Sequence, residues 1–137
     1  MNARDTATAL GVTVEHLEPG ARNPDGSVTL GSYTPGTGGT HIRVRGPFLY
    51  TLYHELAHAI HDRLQPTDFI IDNLFYLDAI ADLVAVTLCL ADDECDCEDL
   101  PNFQNLSFNN ADDPQMEILR ALPMVTNVLS YILTFAM

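Results

Sequence analysis

At 137 residues, 47% hydrophobic and 18% charged, the chain is long enough for one domain with a real core and too apolar to be disordered. A formal net charge of −13 with only six Lys and Arg excludes a nucleic-acid surface, which needs clustered cations against phosphate. Three cysteines are an odd number and make a poor disulfide framework.

Residues 2–10 read as a short helix closed by Gly11. No charged start followed by an apolar run precedes it, so the chain is expected to be cytoplasmic. Val12, Val14 and Leu17 suggest a first strand around His16. The pairs Pro19-Gly20 and Asn23-Pro24-Asp25-Gly26 mark turns. Val28, Leu30 and Tyr33 continue with period two, giving a second strand over 27–34, and the Pro-Gly-rich stretch 35–39 is a turn or loop. His41-Ile42-Arg43-Val44-Arg45 alternates cleanly and predicts a third strand with one wet face.

Gly46-Pro47 breaks that strand, and Pro47 suits the first turn of a helix running to Leu64, where Pro66 stops it. A second helix is expected over 74–90, with Leu74, Leu77, Ala81, Val84, Ala85 and Leu88 at the 3.6 period. Cys89 falls on this stretch and reads as a small core residue. The segment 92–113 is acidic and Asn-rich, and reads as a long loop. Cys95 and Cys97 lie in it, but no second Cys/His pair at zinc-finger spacing accompanies them. Asp113-Pro114 looks like an N-cap followed by Pro at the first helical position. The final helix, 114–137, is apolar, but Arg120, Pro123 and Asn127 make it a poor membrane span. It is expected to be buried or covered by a partner or a second copy, with a kink at Pro123. The whole is expected to be one α+β domain, 1–137: a small three-stranded sheet, two helices completing a core over about 10–92, the acidic loop 92–113, and the C-terminal helix.

Chemistry concentrates in Tyr53-His-Glu-Leu-Ala-His-Ala-Ile-His-Asp62. On a helix His54 and His58 stand one turn apart and can reach one metal ion. Glu55 is rotated by about 100° from His54, beside such an ion rather than facing it, where a base can take a proton from water. Borderline-soft zinc suits neutral imidazole. A surface helix carrying two unrelated histidines is the alternative, but the motif lies inside the apolar pattern Leu49, Leu52, Tyr53, Leu56, Ala57, Ile60 and Leu64. The next helix adds Asp78 and Asp82, i and i+4 on its apolar stripe. Carboxylates on a buried face are costly unless paired or bound to metal.

This order of elements, with His54-Glu55-Leu56-Ala57-His58 and Asp78-Ala-Ile-Ala-Asp82, resembles a zincin metallopeptidase of the gluzincin type. It is most similar to the minimal ImmA/IrrE-type members over roughly residues 10–92. The resemblance extends to a further histidine, His61. It implies a zincin-like fold with one Zn²⁺ per chain held by His54, His58 and Asp78, and Glu55 as catalytic base. Asp82 is then the acid that accepts a hydrogen bond from His54. His61, seven residues from His54, returns to nearly the same helix face. It is expected to be structural or to support the ligands, since His54, His58 and His61 span about two turns of helix, too much for one ion. The family carries Glu where this chain has Asp78, so the second helix must approach more closely, and Asp82 is the alternative ligand.

The expected activity is zinc-dependent peptide-bond hydrolysis on a narrow protein target, with no nucleic-acid or membrane partner. The third strand, 40–45, would border the site and bind an extended substrate by strand addition. His41, Tyr50, Tyr53 and Tyr76 are candidates for stabilising the oxyanion. The competing expectation is a zincin-shaped binding or assembly module whose metal is structural or absent, favoured by the short chain and the apolar final helix.

Overall fold

A computed structural model describes residues 3–17, 31–33, 41–45, 49–64, 74–94, 100 and 106–136. Helix α1 spans Ala3–Ala9, and Gly11, at φ 71°, ends it. The backbone N–H of Val12 donates to Ala7 O at 2.9 Å and that of Gly11 to Thr8 O at 3.0 Å. These two bonds make a Schellman closure, which satisfies carbonyls that the helix leaves open.

Strand β1 is Thr13–Leu17, β2 is Gly31–Tyr33 and β3 is His41–Arg45. They pair in the order β1-β3-β2, parallel between β1 and β3 and antiparallel between β2 and β3. Alternation decides the faces of β3. Ile42 and Val44 are buried in the core, while Arg43 is exposed and its Nε donates to Glu15 on β1 at 3.0 Å. The position of β3 corrects one expectation. Among the described residues it is bonded to β1 on one side and β2 on the other, so it offers no free edge for an added strand. The remaining residues of the expected second strand, 27–30 and 34, lie outside the described residues.

The motif helix, α2, runs Leu49–Leu64, with Pro47 and Pro66 outside the described residues. Helix α3 runs Leu74–Ala91, and α4 runs Pro114–Ala136. Helix α3 packs against both α2 and α4 and carries Ala79, Ile80, Ala81, Val84, Ala85, Leu88 and Cys89 fully into the core. It is apolar on nearly every side because it has neighbours on two. The loop between α3 and α4 is more structured than its composition suggests. Ser107–Asn110 form a 3₁₀ turn, with Leu106 and Phe108 buried against the core. Cys95 and Cys97 lie outside the described residues.

Asp113 caps α4: the N–H of Met116 donates to its Oδ1 at 3.2 Å. The helix continues through Pro123. Among the described residues of α4 one stripe, Ala121, Val125, Val128 and Ile132, is buried, with Ile118, Met124, Leu129 and Tyr131 half-buried at its margins, so α4 is one-sided where a buried helix was one expectation. By length and mean hydropathy Pro114–Phe135 is long and apolar enough to cross a membrane, although Arg120, Pro123 and Asn127 lie within it. Arg63, at the end of α2, donates to Leu10 O at 2.8 Å and ties the motif helix to the end of α1.

Candidate metal centre

Four side chains from two helices converge where α2 crosses α3. His54 and His58, one turn apart on α2, bring their Nε2 atoms to 3.1 Å. Asp78 on α3 places Oδ1 3.6 Å from His58 Nε2. The donor atoms of His54, His58 and Asp78 all lie within 4.8 Å of one another, and the group could hold a metal ion. A tetrahedral ion with bonds of about 2.1 Å has donors about 3.4 Å apart, and the separations of 3.1 Å and 3.6 Å about His58 Nε2 lie near that spacing. Two imidazoles and one carboxylate also suit a borderline cation and leave further coordination positions for water or substrate.

Asp82, one turn beyond Asp78, turns its buried carboxylate to the other nitrogen of His54, with Nδ1 to Oδ1 at 2.8 Å. A proton on Nδ1, donated to Asp82, leaves the Nε2 lone pair directed at the metal position. Tyr50, one turn before His54, donates its hydroxyl to the same Asp82 oxygen. Burial and the Asp82 charge push the Tyr50 pKa far up, so this hydroxyl stays protonated and remains a donor. Of the groups weighed for the oxyanion, Tyr50 is thus engaged with Asp82, and Tyr53 is fully buried with its hydroxyl donated to Asp92 Oδ2 at 2.5 Å. Tyr76 packs against the ring of His61, and His41 lies at 3.3 Å from Glu15 on the sheet.

Electrostatics differ across the site. Burial lowers the pKa of His58, which favours the neutral ligand form. For His54 burial also pulls down, but the hydrogen bond and charge of Asp82 outweigh it and the net shift is upward. Glu55 is buried and its pKa is pushed up to about 7, chiefly by desolvation, with Asp78 adding to the rise and His54 opposing it. A carboxyl poised near neutrality suits a group that must both take and return a proton.

His61 is buried next to Tyr76 and lies outside the cluster. Small residues accompany the ligands on both helices: Ala57 on α2, and Ala81 and Ala85 on α3, are fully buried, and small buried side chains permit close helix packing. Tyr50 could have been found from sequence, since it is i−4 from His54 and shares its face. The Tyr53–Asp92 pair could not, because 39 residues separate the two and no local pattern links them.

Compared with family models, curated proteins and solved structures, the chain matches none.

Proposed function

We propose that the chain is a zinc-dependent peptide hydrolase of the zincin type, similar to the gluzincins and acting on a narrow protein target. The observation that carries this reading is the convergence of His54, His58 and Asp78 within 4.8 Å, with Glu55, adjacent to His54 in sequence, buried and its pKa raised to about 7. His54 and His58 would bind zinc through Nε2 and Asp78 through Oδ1. Bound there, zinc supplies a water of lowered pKa and an electrophile for a carbonyl oxygen.

The chain's own residues do the rest. Asp82 accepts the Nδ1 proton of His54 and fixes that ring's tautomer and orientation. A Glu55 carboxylate oxygen takes the water proton as the C–O bond forms, then delivers it to the amide nitrogen as the C–N bond breaks. Glu55 is buried, so the proton transfers would take place largely away from bulk solvent.

Elemental analysis and peptide cleavage on the parent and Glu55→Gln test the reading together. One zinc per chain in both proteins, with cleavage about 10²–10⁴-fold lower in the variant, is the expected result. Full metal occupancy in His54→Ala and His58→Ala would remove the site. Stoichiometric zinc in a parent that cleaves no peptide would instead favour a non-catalytic zincin-shaped binding module.

A further inference from the structure

We propose that the outward face of α4 is a self-association surface, and that its occupant is the α4 of a second copy of this chain. The positions Leu119, Leu122, Thr126, Leu129 and Leu133 are spaced three, four, three and four residues apart. That is the a/d spacing of a helix seam that meets another helix. The core takes only one of these side chains in part: Leu129 is half-buried against it. Leu119, Leu122 and Leu133 are 60%, 44% and 39% exposed, and Met116 beside them is 50% exposed. The core is served by a different stripe of α4, Ala121, Val125, Val128 and Ile132, about a quarter-turn to a third of a turn away.

The chemistry of the seam is self-compatible. The chain has 19 Asp and Glu, yet 114–137 holds one, Glu117, and it lies off the seam within 3.5 Å of Arg120. Two copies, each at −13, would repel through most surfaces, but these faces bring no carboxylates together. The hydroxyl of Thr126 donates to Leu122 O at 3.1 Å and that of Thr134 to Ser130 O at 2.7 Å, so neither loses a partner when the face is covered.

An antiparallel two-fold pairing sets a against d. It places Leu122 opposite Leu133 of the partner subunit, and Thr126 opposite Leu129 of the partner subunit, so that small meets large at the centre. Met116 lies beyond this overlap, and the exposed Leu surface within it is roughly 250 Å² per copy, no more than the apolar patch that an ordinary monomer leaves open. With the flanking Pro123 and Ser130 the pair stays below the roughly 1,000 Å² that a stable interface clears, in the class of weak, reversible contacts.

A membrane is the less suitable occupant. Anionic lipid repels an acidic body with six basic residues, and insertion across a bilayer would pull Ala121, Val125, Val128 and Ile132 out of the core. The pairing stands apart from the metal reading and does not depend on it.

Sedimentation of the purified full chain over a range of concentrations, with and without chelator, tests the inference. A dimer that dissociates on dilution is expected, indifferent to chelation. Leu122→Glu and Leu119→Glu are expected to weaken it at least tenfold while keeping the parent's circular dichroism and melting temperature. A parent that stays monomeric at high micromolar concentration overturns the inference, as does a dimer that both folded variants retain. Monomer in buffer that floats with neutral phosphatidylcholine vesicles overturns it too, and makes the membrane the occupant.

Discussion

Glu55 is the residue whose environment has the most measurable consequence. Its pKa is raised to about 7 from an ordinary 4.5, so between these values the folded chain holds a proton that the unfolded chain releases. Folding is therefore favoured below pH 4.5, and the advantage is lost as pH rises through 7. In chelator-treated protein, Glu55→Gln should be more stable than the parent at pH 8 by on the order of 2 kcal/mol, and no more stable at pH 4.5. Denaturant unfolding at the two values checks this; a difference independent of pH would place Glu55 in an ordinary solvated site. The acids of α3 separate by the same kind of reasoning. Asp78→Asn removes the one anionic donor of the cluster and should nearly abolish zinc binding. Asp82→Asn and Tyr50→Phe disturb His54 through the carboxylate bonded to its Nδ1. The first should weaken zinc about 10–100-fold, and the second, which leaves the carboxylate in place, by less. Competitive titration with a chromophoric chelator orders the three. If Asp82→Asn alone lost zinc, the ligand would be one turn further along α3.

At the scale of single elements, local chemistry decides where helices start and stop. Gly11 ends α1 in a left-handed conformation, and a Cβ built there meets nothing within 4 Å. Gly11→Ala therefore costs only backbone strain, about 1–2 kcal/mol, seen as a lower melting temperature without altered zinc content. An unchanged melting temperature would mean that the closure contributes nothing. Asp113 does the corresponding work at the start of α4, where its carboxylate also meets the positive end of the helix. The sheet shows what an element's own pattern leaves open. The alternation of 41–45 identifies a strand with Ile42 and Val44 inward, yet alternation is the same for a central strand and an edge strand. Pairing with β1 on one side and β2 on the other makes β3 central.

Across the whole molecule, the candidate centre depends on how two helices are held together. One clamp is Tyr53, adjacent in sequence to His54, whose hydroxyl reaches Asp92 just beyond the end of α3. Asp92 also accepts the N–H of Glu94 at 2.8 Å, so its carboxylate both turns the chain out of α3 and ties that turn to α2. Tyr53→Phe leaves a buried carboxylate with one donor fewer and should cost about 1–3 kcal/mol. Because the site's own groups stay in place, zinc affinity should fall far less than in Asp82→Asn. Unfolding curves and zinc titration on one preparation separate these effects, and a zinc loss as large as that of Asp82→Asn would make Tyr53 part of the site's positioning.

By itself the sequence determined the helices at 3–9, 49–64, 74–91 and 114–136 to within a few residues. Periodicity, caps and prolines are local signals that need no distant partner. It also determined that His54 and His58 share a face, and likewise Asp78 and Asp82, since residues four apart on one helix must. Only the tertiary structure decided that these two faces meet, that β3 is enclosed, and that Asp92 and Phe108 in an acidic loop belong to the interior. Those outcomes depend on contacts between residues far apart in the chain. Such contacts form through packing and shared burial, which leave no periodic trace in either partner alone.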